Sequence, residues 1–350
     1  MNTFTHIGAG LLIATLLGFR GKKRWGLGFL AILPDFDILT GYLLDLIDAI
    51  TGLDHETYNF LFYLMEHREF SHSLLFIVLV SAVLHIALRN NIFTFASFTT
   101  LFSHFLLDYF TTWKMRALYP ISLEGSTMGV LYFFDPVVNI LAISFIPLVL
   151  ISDMKDRGKL SGRLDRLHLW FEKRLKRLSG IVLVNMVLYV SLMTGGKIAL
   201  IDSIGPDEEI PYQYAYPISY CTYLSGHSHN ESHYRVLKAD FFRGVTEEEM
   251  VPKVFFDNIT VEEGENLSSR VIDLYSGHRP EEIDLPAVSI WKEENGTIVE
   301  LYDARARLID TWAYFRPIFR FHFEDDGYWV EVKWPNPSWT RVPNEHFERG

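Results

Sequence analysis

Long apolar runs recur through the first two hundred residues, and they constrain the fold of this chain more than any other feature. A helix needs about 20 mostly apolar residues to cross the hydrocarbon core of a bilayer. On that scale the pattern predicts membrane helices at 5–19, 25–44, 74–89, 92–112, 130–151 and 180–201. The first run, Ile7 to Phe19, is short for a full span, so a tilted or re-entrant helix is expected there. Pro34 predicts a break in the second run, because proline removes a helical hydrogen bond and clashes with the preceding turn. Residues 45–73 are mixed, and Phe60 to Met65 reads as an amphipathic, interfacial stretch.

The pattern changes after residue 202. Short alternating runs, Arg316 to Phe323 and Tyr328 to Trp334, flank an aspartate–glycine pair at Asp326-Gly327 and predict strands joined by a turn. In this part acids outnumber bases about two to one. The expected fold class is therefore an α-helical multi-pass membrane domain of five to six membrane helices, followed by a small β-rich extracytoplasmic domain. The expected boundaries are 1–151 for the helical domain with its metal site, 152–179 for a basic cytoplasmic segment, 180–201 for the last membrane helix and 202–350 for the β-rich domain.

Orientation follows from basic residues, which favour cytoplasmic loops. Arg20, Lys22, Lys23 and Arg24 form one cluster, and Lys155 to Arg177 forms a stronger one. Threading the helices through these anchors places the amino terminus, 45–73, 113–129 and the carboxy-terminal domain outside a cell membrane. The first apolar run ends in bases rather than in a small-residue cleavage site, so a removed signal peptide is not expected. Sequons at Asn230, Asn258, Asn266 and Asn295 agree with an outside location but are common by chance. A net charge of −11 argues against a nucleic-acid partner. Cys221 is the sole cysteine, which excludes an intramolecular disulfide and a thiolate metal cage.

Seven metal-capable side chains interrupt or flank the apolar runs: His6, Asp35, Asp37, His67, His72, His104 and Asp108. Ionisable groups are costly in a bilayer unless paired, hydrated or coordinated. His104 and Asp108 stand four apart, which puts both on one helical face. Asp35 and Asp37 flank Phe36 at the proline break, where only a distorted backbone lets both face one centre. Ser71 is the expected helix cap before 74–89, with His72 in the first turn and His67 in the preceding loop. Arg68 offers a planar fork suited to phosphate. Taken singly, each group has a plainer explanation, such as a buried imidazole–carboxylate hydrogen bond, a solvated turn or a helix cap. Histidine and aspartate without cysteine suit Zn²⁺, with Mn²⁺ or Fe²⁺ as alternatives. Charge bias and ligand depth both place the set toward the outer face. Lower-ranked candidates are Asp135, Pro136 and Asn139, then Trp113, Lys114, Arg116 and Tyr119, and the tract His227, His229, Glu231 and His233.

The set Thr5-His6, Leu33-Pro34-Asp35-x-Asp37, His67-Arg68-x-x-Ser71-His72-Ser73 and His104-x-x-x-Asp108 resembles the YdjM-type family of membrane-bound metal-dependent hydrolases, over about residues 1–150. That family looks distantly like the zinc-dependent phospholipase C group, whose helical folds use His-x-x-x-Asp pairs. The resemblance implies His6, Asp35, His67, His104 and Asp108 as ligands, with His72 and Asp37 as ligands or orienting partners. Glu69-Phe70 departs from the family pattern, and a single His-x-x-x-Asp pair favours one or two ions over three. The expected function is hydrolysis of a phosphoester bond in a membrane lipid or lipid-linked substrate, with Arg68 on the phosphoryl group and Asp37 as general base or orienting residue. Two other readings use the same residues: a metal-ion transporter or sensor, and a non-catalytic anchor presenting an outer binding domain.

Overall fold

The computed structural model describes residues 1–156, 163–204, 215–278, 283–293, 296–310, 316–324, 327–333, 338–342 and 347. It divides into two compact units, Met1–Gly195 and Gly196–Gly350. The segment 157–162 of the basic stretch, Asn295, Asp326 and Trp334 lie outside the described residues.

The first unit is helical. α1 (Thr3–Leu16) begins where the Asn2 side chain accepts a hydrogen bond from the Thr5 amide at 3.0 Å, a standard N-cap. It is buried on nearly every side, from Thr5 through Leu12 and again at Ala14 and Thr15. The other helices of this unit are α2 (Gly21–Leu30), α3 (Asp37–Thr51), α4 (His55–Met65), α5 (Leu74–Leu88), α6 (Asn91–Tyr109), α7 (Pro136–Ile143) and α8 (Phe145–Asp156). The long α9 (Arg163–Ile204) continues into the second unit.

Small residues let α1 sit at the centre. A Cβ built on Gly8 would lie 2.2 Å from the Ala142 carbonyl oxygen, so the backbones of α1 and α7 are in direct contact there. Replacing Gly8 by Ala is expected to cost about 1–3 kcal/mol or more, because backbone rather than a flexible side chain must move. Gly26 in α2 has open space around its Cβ position. Gly26→Ala is therefore expected to be neutral or slightly stabilising. Thermal unfolding of the two variants in one detergent checks the contrast.

Two helical stretches, Pro136–Asp153 and Arg174–Ile204, are long and apolar enough to cross a membrane among the described residues. The number rises to four if each of two bent pairs is one span: Gly21–Leu30 with Pro34–Thr51, bent by 57°, and Glu56–His72 with Leu74–Leu88, bent by 79°. That is fewer than the five to six expected from the apolar runs. The run at 25–44 breaks at Pro34, where a 3₁₀ turn (Pro34–Phe36) separates α2 from α3. Polar groups from Thr94 to Asp108 dilute α6, and α1 is only 14 residues long. The expected helix at 130–151 starts at Pro136, capped by Asp135, whose side chain accepts from the Val138 amide. Another expectation is corrected at α5. Ser73, not Ser71, is its N-cap, accepting from the Phe76 amide, and His72 belongs to the preceding 3₁₀ turn (Phe70–His72).

The second unit holds two sheets. β1 (Tyr216–Pro217), β2 (Thr222–Ser228), β3 (His233–Asp240) and β4 (Gly244–Pro252) form an antiparallel sheet in that order. β5 (Val254–Asp257), β6 (Pro286–Glu293), β7 (Gly296–Asp303), β8 (Ile318–Glu324), β9 (Gly327–Lys333) and β10 (Thr340–Val342) form the other, ordered β10-β9-β8-β7-β6-β5. Among the described residues only the β5–β6 pair is parallel, with α10 (Val261–His278) as its crossover. Val271 and Tyr275 of α10 pack with Ile290, Val299, Phe321 and Val330 to form the core of this unit.

Candidate metal centre

Four separate stretches of the helical unit converge on one buried space. The first turn of α1 carries His6, the 3₁₀ turn at Pro34 carries Asp35, and α3 begins on Asp37. The turn before α5 carries His72, with His67 and Arg68 just upstream, and α6 carries His104 and Asp108. His6, His72, His104 and Asp108 are essentially inaccessible to solvent.

Three of the four imidazoles are tied at one nitrogen. His104 Nδ1 lies 2.7 Å from the Ala31 carbonyl oxygen. His67 Nδ1 lies 2.7 Å from Asp37 Oδ1. His72 Nδ1 lies 3.0 Å from Asp37 Oδ2 and 2.9 Å from Ser71 Oγ. Acceptors at Nδ1 fix the proton there and leave each Nε2 as a bare acceptor, since a neutral imidazole carries one donor and one acceptor. Such outer partners are what orient metal-binding histidines.

The Nε2 atoms then face each other and the carboxylates. His72 Nε2 and His104 Nε2 are 3.1 Å apart. Asp108 Oδ2 lies 3.4 Å from the first and 3.6 Å from the second, while Asp35 Oδ1 lies at 3.7 and 3.6 Å. Two bare nitrogen lone pairs opposed at that distance repel unless a proton or a metal ion sits between them. His6 stacks on His104 with ring centroids 3.9 Å apart, and both its ring nitrogens are buried without a hydrogen-bond partner. Its Nε2 is 3.3 Å from Asp108 Oδ1. The donor set and the orphaned His6 nitrogens both fit a cation.

Two ligand groups have atoms close enough to share an ion: His6, Asp35, His104 and Asp108 in one, Asp35, His67 and His72 in the other. Asp35 belongs to both. Buried His and Asp groups of this protein could thus hold a metal ion. Asp37 is in neither group. Its carboxylate instead takes the ring nitrogens of His67 and His72, the Ser71 hydroxyl and, at 3.2 Å, the Arg68 amide.

Arg68 sits at the rim of this space with a positive φ of 71°, a strained conformation for a side chain of its size. Its guanidinium lies over the Trp113 ring at 4.7 Å and donates to the Trp113 carbonyl oxygen at 3.1 Å. Nη2 is 3.4 Å from Asp108 Oδ2, and the Met1 amino group also contacts Asp108.

Among the lower-ranked candidates, Asn139 bonds the Asn2 side chain and the Thr5 hydroxyl, so it steadies the turn that carries His6. Asp135 caps α7 and accepts from the Tyr189 hydroxyl at 2.7 Å. Arg116 pairs with Glu69, which explains why an acid is tolerated in that motif, and Tyr119 packs on Phe70 and Tyr63. The tract from His227 to His233 forms the β2–β3 hairpin, and none of its side chains joins an ion group among the described residues. Sequence reading missed Ser71 as a partner of Asp37 and His72, although it stands inside the motif. It also missed the Ala31 carbonyl, for which no side-chain signal exists.

A family model described as YdjM inner membrane protein matches residues 1–198. No curated protein and no solved structure matches the chain.

Proposed function

Since this chain belongs to the YdjM inner membrane protein family, we propose that it is a membrane-embedded, metal-dependent hydrolase acting on a phosphoester bond of a lipid or lipid-linked substrate. The observation that carries the reading is the set of imidazoles tied at Nδ1, with His72 and His104 Nε2 opposed at 3.1 Å beside two carboxylates. Fixing three tautomers in this way, at a buried place in an apolar unit, makes sense if their free nitrogens bind one cation centre.

His6, Asp35, His104 and Asp108 would hold one ion, and Asp35, His67 and His72 a second. The donor set suits zinc, with manganese or iron(II) as alternatives. A bound divalent ion would supply Lewis acidity toward a phosphoryl oxygen and a water acidic enough to react near neutral pH. Arg68 can meet an anionic phosphoryl group at the rim, where its fork exchanges Asp108 for substrate oxygens. Asp37, with its carboxylate bonded to two imidazoles, a hydroxyl and an amide, keeps the orienting role and is not offered as the base. By the positive-inside rule, the Arg20–Arg24 cluster after α1 puts the centre, at the other end of that helix, toward the outer face. Substrate lipid would then enter laterally from the outer leaflet.

Elemental analysis of the purified full-length protein and of His104→Ala tests this, together with turnover of phospholipid and lipid-phosphate substrates. The expected result is stoichiometric metal and phosphoester turnover in the parent protein, both lost in the variant and on chelation. A parent protein that turns over substrate without metal would overturn the reading. Stoichiometric metal with no phosphoester turnover would instead favour ion transport or sensing.

A further inference from the structure

The opposite end of α1 holds a second constructed site that the metal centre does not use. A cavity of about 280 Å³ lies there, lined by Thr15, Arg20, Arg24, Ser152 and Lys176, with apolar walls from Phe19 and Leu175. Its charged lining residues are all basic. Arg24 is only 2% exposed, and its Nε is buried without a hydrogen-bond partner. Its Nη2 donates to one oxygen of Asp153, whose second oxygen accepts from Trp25 Nε1 at 2.7 Å. That acid is therefore fully engaged and turned to its own partners. Thr15 is 5% exposed, and its hydroxyl is likewise buried and unpartnered. It does not bond back to the preceding helical turn, as Thr94, Ser97 and Thr99 do in α6. The cavity also lies at the start of α2, where the N-cap residue Arg20 makes no side-chain cap hydrogen bond and the helix presents its positive end.

Buried donors without acceptors carry a desolvation cost that a ligand oxyanion removes. Three cations, a hydroxyl and the positive end of a helix together match the tetrahedral oxygens of a phosphate group. We propose that this cavity binds a phosphate group, with Thr15 Oγ1, Arg24 Nε, Arg20 and Lys176 as its contacts. The group comes either from the headgroup of an anionic phospholipid or from free phosphate. The proposal stands independently of any hydrolytic activity at the metal centre.

The full-length protein in nanodiscs provides the test. One arm uses phosphatidylcholine alone, and the other equal parts phosphatidylcholine and phosphatidylglycerol. Retained lipid is read by native mass spectrometry, and inorganic phosphate binding by phosphorus NMR. Selective retention of phosphatidylglycerol that phosphate fails to displace identifies the headgroup. Phosphate binding, or displacement of the lipid by phosphate, identifies the free anion. Either result must weaken about tenfold or more in the Arg20→Gln/Lys176→Gln double variant, as expected for lost charge-assisted hydrogen bonds. Thr15→Val and Arg24→Lys preserve volume and charge, respectively. Each should weaken binding about threefold to tenfold, with metal content unchanged. No anion-selective retention and no phosphate binding in the parent protein, or equal binding in the double variant, would overturn the proposal.

Discussion

Asp35→Asn is expected to strip both ion positions at once, while His67→Ala removes only one. Asp35 is the residue common to the two ligand groups, with Oδ1 within 3.7 Å of His72 Nε2 and 3.6 Å of His104 Nε2. Asparagine keeps the size of the side chain and one oxygen but loses the negative charge that offsets a divalent ion. His67 belongs only to the group with Asp35 and His72, and its side chain is 28% exposed, so its truncation opens no deep cavity. Parallel elemental analysis should give full metal content in the parent, about half in His67→Ala and almost none in Asp35→Asn, with melting temperatures confirming the fold. Turnover in Asp35→Asn should fall by more than the roughly 10–100-fold lost when only an orienting partner is removed. Parent-like metal content in Asp35→Asn would sink the shared-carboxylate arrangement.

How far the sequence foretold this centre varies residue by residue. His104 and Asp108 were legible because a four-residue spacing on a helix fixes their common face without further information. Asp35 and Asp37 received separate roles only through the family resemblance, since spacing alone leaves open how the backbone turns at Pro34. The 3₁₀ turn aims Asp35 inward and starts α3 on Asp37, which then reaches the histidine turn instead. Ser71 was the expected cap, and the register of α5 selects Ser73 instead. The Ala31 carbonyl that fixes His104 had no signature, because a backbone acceptor becomes available only where a helix ends. In the second unit, alternation at β8 and β9 was visible locally. The parallel β5–β6 pair was not, because such pairing joins strands separated by a whole helix. Apolar runs measure composition, whereas α7 and α8 meet at Ser144 and the run at 25–44 bends by 57° in ways that composition does not encode.

Arg68 allows the proposed catalytic role to be separated from a structural one, because its backbone strain and its guanidinium are removed by different substitutions. At φ 71° any Cβ is unfavourable, by about 1–2 kcal/mol for an ordinary residue, and glycine escapes that cost. Arg68→Gly and Arg68→Ala both lose the stack on Trp113, the hydrogen bond to its carbonyl and the pairing with Asp108. They differ in strain alone, so the glycine variant should be the more stable of the two by about 1–2 kcal/mol in thermal or denaturant unfolding. Turnover should not follow that order. If the guanidinium stabilises charge developing on a phosphoryl group, both variants lose roughly 10²–10³-fold in kcat, the usual effect of deleting one preorganised donor. The discriminating quantity is turnover per bound metal ion. A residue that only neutralised Asp108 would matter through metal retention or stability, and its variants would match the parent once corrected for ion content. A loss in kcat per ion that is equal in the glycine and alanine variants, despite their different stabilities, places the guanidinium at the reacting group.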